Sequence, residues 1–196
     1  MIEKPEDILK KLSIADLERA NAYARDLARG LEVGRSFPQG VTIFGSARLS
    51  QDSKYCQMAY ELGGELAKNG HAVVTGGGPG IMEAASRGSY EIGGRTIGYN
   101  ITLKHEQHPN PYLTDCLTFE YFFARKVMLA MGSKVFAFFP GGFGTMDELS
   151  EVLCLMQESK MPKAMLNLMN FTAISSILKL IASSLFSPRL NPDRQC

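Results

Sequence analysis

Lys134-Val135-Phe136-Ala137-Phe138-Phe139-Pro140-Gly141-Gly142-Phe143-Gly144-Thr145-Met146-Asp147-Glu148-Leu149 is the stretch that decides how the chain is read. Its first part is a strongly apolar strand, closed by Pro140 and a glycine turn. A helix is expected to follow, from Met146 to about Glu158. A buried strand that runs through a short glycine turn into a helix belongs in a parallel sheet covered on both faces.

Working outward, the same unit recurs upstream. Val-Thr-Ile-Phe-Gly-Ser-Ala from Val41 reads as a strand entering a small-residue turn. Ser53 to Lys68 reads as a helix ended by Asn69-Gly70, and His71 to Val74 as a short strand. The loop Thr75-Gly76-Gly77-Gly78-Pro79-Gly80 then leads to a helix starting near Ile81. Residues 93–100 supply the next strand, and 101–115, with Pro109, Asn110 and Pro111, a loop. Leu117 to Phe119 is a short strand and Tyr121 to Met131 a helix. The expected fold is α/β: a Rossmann-like, doubly wound parallel sheet with helices on both faces.

Residues 5–31 carry Ile8, Leu9, Leu12, Leu17, Ala20, Ala24, Leu27 and Leu31 at roughly helical spacing, with Gly34 marking the exit. The chain therefore divides into an N-terminal helical extension, 1–37, and a nucleotide-binding domain, 38–196.

Composition narrows the function. The 196 residues suit one domain. A hydrophobic share of 45% and a net charge of +1 disfavour a general nucleic-acid or membrane-surface binder. Four cysteines form no C-x-x-C pair, three histidines form no Cys/His cluster, and so no metal site is expected. The charged start Met1 to Lys11 lacks a signal-peptide core, and no apolar run approaches the ~18 residues of a membrane span. A reducing, cytoplasmic setting is expected.

Two glycine loops, 75–80 and 140–145, each stand between a strand and a helix. Glycine lets a ligand approach the backbone, and the helix N-terminus beyond it favours phosphate. Neither loop has the lysine of a P-loop. The spacing Gly-Gly-Gly-x-Gly, with no carboxylate after Tyr99-Asn100, disfavours a dinucleotide. A mononucleotide fits better. Gly77, Gly78, Gly141, Gly142, Gly144 and Thr145 are the candidates to hold it, and no cofactor is expected.

Gly76-Gly-Gly-Pro-Gly-Ile-Met-Glu-Ala-Ala-Ser-Arg-Gly88, Phe122-Phe-Ala-Arg-Lys-Val-Met-Leu-Ala130 and Phe139-Pro-Gly-Gly-Phe-Gly-Thr-Met-Asp-Glu-Leu149 closely resemble the Lonely Guy family, the cytokinin riboside 5′-monophosphate phosphoribohydrolases. The similarity covers roughly residues 38–160, and the motif P-G-G-x-G-T-x-x-E is met in full by Pro140 to Glu148. The resemblance implies a Rossmann-like homodimer that binds AMP and N6-substituted AMP-type nucleotides, with catalytic roles for Arg125 and Glu148. Many relatives carry the label lysine decarboxylase. A pyridoxal phosphate enzyme needs a Schiff-base lysine and a partner for the pyridine nitrogen, and no such constellation is identified. Related Rossmann-like proteins carry molybdenum cofactor or sense nucleotides without turnover, which is the alternative reading. After Pro162 the wording departs from the family; residues 163–168 can form a strand and 174–185 a helix.

With Gly144 as the N-cap, Glu148 lies one turn into the helix, and its carboxylate reaches the ribose while the loop holds the phosphate. N-glycoside cleavage passes through a cationic sugar, which a neighbouring carboxylate stabilises. Arg125 stays charged, which suits a phosphate clamp or an electrostatic partner of the leaving purine. Lys126 assists with phosphate or pairs with a carboxylate, and Asp147 complements the helix dipole. Glu83 complements a dipole or accepts from a ribose hydroxyl, and Ser46 faces the ligand or forms a turn. Phe119, Tyr121, Phe122 and Phe123 are candidates for packing on the base.

Overall fold

The computed structural model describes residues 11–37, 40–102, 108–133, 135–158 and the backbone of 165–167. The expected helix over 174–185, and Ile8 and Leu9 of the first helix, lie outside the described residues.

Among the described residues the first helix, α1 (Ile14–Arg35), starts at Ser13, whose Oγ accepts the Asp16 N–H at 3.2 Å. It begins later and runs further than the apolar spacing predicts, passing through Gly34. Its buried face also differs. Asp26 and Gly30 are buried and Leu27 and Val33 partly so, while Ala20, Ala24 and Leu31 face outward. The reason is a close helix crossing. A Cβ on Gly30 would collide with the side chain of Met128, so the contact selects glycine rather than a larger apolar residue.

The remaining elements follow the expected alternation: β1 (Gly40–Phe44), α2 (Lys54–Lys68), β2 (Ala72–Thr75), α3 (Ile81–Tyr90), β3 (Thr96–Ile101), β4 (Asp115–Phe119), α4 (Phe122–Met131), β5 (Val135–Phe138), α5 (Phe143–Gln157) and β6 (Met165–Asn167). Ser53 caps α2 by accepting the Cys56 N–H, and Asn69 ends it. Of these, α5 starts three residues before Met146, with Gly142 as its N-cap, and β3 starts three residues later than expected, at Thr96.

The strands form one parallel sheet in the order β4-β3-β2-β1-β5-β6. The chain builds outward from β1 to β4, then returns to lay β5 on the other side of β1. Strand order therefore reverses between β1 and β5, and a crevice opens at their carboxyl ends. Alternation along the strands sends side chains to two cores. Val41, Ile43, Val73, Val135 and Ala137 pack under α2 and α3. Phe44, Val74, Ile97, Tyr99, Phe119 and Phe136 pack with Ala124, Met128 and Leu129 of α4, with Leu27 and Val33 of α1 alongside. Among the described residues no helix is long and apolar enough to cross a membrane.

Candidate active site

The turn after β1 holds the two glycine loops together. The Ser46 N–H donates to the Pro140 carbonyl at 3.1 Å, and the Ser46 carbonyl accepts the Ile81 N–H at 3.0 Å. The Ser46 hydroxyl accepts the Arg48 N–H at 3.1 Å, so it performs the turn-forming role while also lining the crevice.

This crevice is an open cleft of about 650 Å³ between the β1 turn, the first glycine loop, α4 and the start of α5. The first N–H groups of α5, on Phe143, Gly144 and Thr145, point past the helix end without intrahelical acceptors. Gly142 is extended, and no side chain caps it. A positive dipole end with bare donors is thus presented to the cleft.

Arg125 sits one turn into α4 and crosses beneath the cleft. Its Nε donates to the Tyr99 carbonyl at 2.6 Å and its Nη2 to the Gly76 carbonyl at 3.5 Å. Burial lowers its pKa, partly offset by the nearby Glu148 carboxylate, and the guanidinium remains a cation. Glu148, on the cleft-facing side of α5, has its carboxyl pushed up to about 7, chiefly by burial, while the Arg125 charge pulls the other way. An acid–base group poised near neutrality and a fixed cation therefore share one cavity.

Ser46, Arg125, Gly142, Gly144, Thr145 and Glu148 come together on the cleft wall. Gly77, Gly78, Glu83, Gly141 and Lys126 stand outside that lining. The Gly77 and Gly78 carbonyls accept from the backbone and side-chain nitrogens of Asn110, at 2.9 and 3.1 Å. Lys126 reaches Asp147 at 2.8 Å and Glu151 at 3.1 Å, the carboxylate-pairing role of its two expected ones. Of the four candidate aromatics only Phe122 lines the cleft; Phe119 is core. Arg48 also lines it, a residue the sequence reading missed although its place just after a strand end is the signal for it. Asn110 carries no motif that would have marked it. Among the described residues no group of three or more His, Cys, Asp or Glu could hold a metal ion.

A doubly wound parallel sheet with an anion-ready helix end at its switch point defines a Rossmann-like α/β protein, a class in which ligands bind at the strand ends. Within that class the chain belongs to the SLOG cluster4 family, whose model matches residues 39–173. The Lonely Guy resemblance stands with it. The chain is 29% identical over 154 residues to the probable cytokinin riboside 5′-monophosphate phosphoribohydrolase LOGL6 of Oryza sativa subsp. japonica, covering 76% of this chain. It is 30% identical over 123 residues to the cytokinin riboside 5′-monophosphate phosphoribohydrolase of Rhodococcoides fascians, covering 61%. The matches span 62% of the length of each of these relatives. Among solved structures, the molybdenum cofactor carrier protein of Chlamydomonas reinhardtii superposes with a TM-score of 0.58 at 23% identity, covering 74% of this chain and 98% of that one. That likeness shows the shared fold.

Proposed function

We propose that the protein is a phosphoribohydrolase that cleaves the N-glycosidic bond of a purine nucleoside 5′-monophosphate, AMP or an N6-substituted AMP. The products are the free base and ribose 5-phosphate. The observation that carries this reading is the Glu148 carboxyl, raised to about 7, in the same cleft as the bare N-terminus of α5. A protein that only holds a nucleotide has no need of a half-buried carboxylate beside the sugar. The names of its Lonely Guy relatives describe the same reaction.

In this mechanism the 5′-phosphate docks on the N–H groups of Gly144 and Thr145, with Gly142 leaving room for it. Ionised Glu148 faces the ribose. As the bond from C1′ to the base nitrogen lengthens, positive charge grows on the sugar and the carboxylate stabilises it. Water adds to C1′ and gives a proton to Glu148, while the base departs with the bonding electrons and takes a proton from solvent; Glu148 then returns its proton to solvent, so the protons balance. Arg125 stabilises the anionic phosphate or the leaving purine and keeps its own protons. Exposed apolar side chains on α5, including Phe143, Met146 and Leu153, support a homodimer as the working form.

Incubation with AMP and isopentenyl-AMP, following base and ribose 5-phosphate by chromatography, tests the reading. Base release that disappears in Glu148→Ala supports it and ranks the substrates. Folded protein that binds AMP and releases nothing would instead be a nucleotide- or cofactor-binding module.

A further inference from the structure

α4 brings Arg125 to the cleft, yet it lacks a cap of its own. Its N-cap is Tyr121, which makes no side-chain capping bond. The turn in front of it is instead held from α1. Asp26, only 4% exposed, directs Oδ2 at the N–H groups of Glu120 and Tyr121, at 2.9 and 3.1 Å. One carboxylate oxygen, almost a hundred residues upstream, thus closes the turn from which α4 starts. The rest of α1 grips the same turn. Tyr23 meets Tyr121 and Phe123 edge to face, with ring centroids 4.5 and 4.9 Å apart, and Gly30 lets the helices touch at Met128.

We propose that Asp26 is a positioning residue for the cleft: by holding the entry to α4 it sets the register at which Arg125 reaches Tyr99 and Gly76. Arg125 follows the held turn by a single helical turn, and its Nε has one acceptor at 2.6 Å, so a small displacement of the helix start breaks that bond. The N-terminal helix is then part of the site's construction. The proposal rests on Arg125 binding the nucleotide, as argued above.

Two variants separate acceptor position from charge. Asp26→Asn keeps an oxygen in place and loses the charge. Asp26→Glu keeps the charge and moves the oxygen outward by one methylene. Arg125 is read by NMR through its Nε–H resonance, alongside amide exchange at Glu120 and Tyr121, AMP affinity and base release. In Asp26→Asn the Arg125 signal should match wild type and base release should stay within about threefold. In Asp26→Glu the signal should shift or broaden, the two amides should exchange faster, and base release should fall by about tenfold or more, mainly in kcat. An Arg125 signal unmoved in folded Asp26→Glu overturns the proposal, and so does equal damage in both variants. If wild type binds AMP without releasing base, the hydrolase reading fails while the Arg125 signal and AMP affinity still judge Asp26.

Discussion

The two glycine loops look alike as sequence and do opposite work in the fold. In the first, Gly76, Gly77, Gly78 and Gly80 are all buried, and Asn110 and Gln51 take up carbonyls along it. In the second, Gly141, Gly142 and Gly144 are exposed, and a Cβ on Gly142 or Gly144 would meet nothing within 4 Å. The first loop uses glycine so that protein can approach protein. The second leaves its backbone N–H groups open, which is what the proposed phosphate contact requires. A closed scaffold and an open helix end are thus divided between two motifs that look alike as sequence.

The sharpest way to break this contrast is Gly80→Ala. Gly80 has φ 67°, ψ −125°, a region that side chains rarely enter. Its Cβ would also collide with the Ser46 carbonyl, which already accepts the Ile81 N–H. Backbone strain and overpacking at a rigid contact cost about 1–3 kcal/mol each. The variant should lose roughly 3–5 kcal/mol by denaturant unfolding, with the loop, α3 and the β1 turn all affected. A loss below about 1 kcal/mol would remove the first loop's role as scaffold.

Next in size is the stability cost of Glu148, the catalytic group proposed for the helix that the second loop begins. Its carboxyl titrates at about 7 in the fold and near 4.5 in the unfolded chain. Between those values the native state holds a proton that the unfolded state has lost, so stability falls as pH rises through the window. The penalty is absent below the unfolded value and complete above the folded one. At about 1.4 kcal/mol per unit it amounts to roughly 2–3 kcal/mol for this partly exposed group. Glu148→Gln should therefore melt higher than wild type at pH 8, match it near pH 4, and release no base. Wild-type turnover should rise with pH toward a plateau above about 7, as the carboxylate forms. Parallel stability curves for the two proteins would show that Glu148 is not strained by burial.

Much of this architecture was legible from residues alone, because apolar runs and glycine turns alternate with little ambiguity. What escaped had physical reasons. Apolar counting puts Asp26 on the surface, whereas the fold buries it to hold the turn that precedes a helix from another part of the chain. The start of α5 fell three residues early because Gly142, Phe143 and Gly144 have weak helix preference, which the strand end before them overrides. Arg125 and Glu148 were reached through motif wording; that they share one cavity required the fold to bring α4 beside the start of α5. Gly77 and Gly78 were chosen by their likeness to phosphate loops; burial and the hydrogen bonds from Asn110 distinguish them from Gly142 and Gly144.

Two smaller effects sharpen the second loop's side of the contrast. Lys126 ties α4 to α5 through Asp147 and Glu151, but Asp147 is 62% exposed and Glu151 32%. Ion pairs this open contribute about 0.5–1 kcal/mol, so Lys126→Met should lower stability by that amount and less so in high salt. The smallest stability change belongs to Gly142→Ala. Its φ of −88° suits any residue, and its Cβ points into open space. Alanine caps a helix slightly less well than glycine, while the stiffer unfolded chain offsets the loss, leaving about 0.5 kcal/mol or less in either direction. The methyl group nevertheless occupies the space assigned to the phosphate. AMP affinity measured by calorimetry should drop by about tenfold while the melting temperature stays put. If affinity survives the methyl group, the phosphate lies elsewhere in the cleft, and Arg48 becomes the first residue to test as its partner.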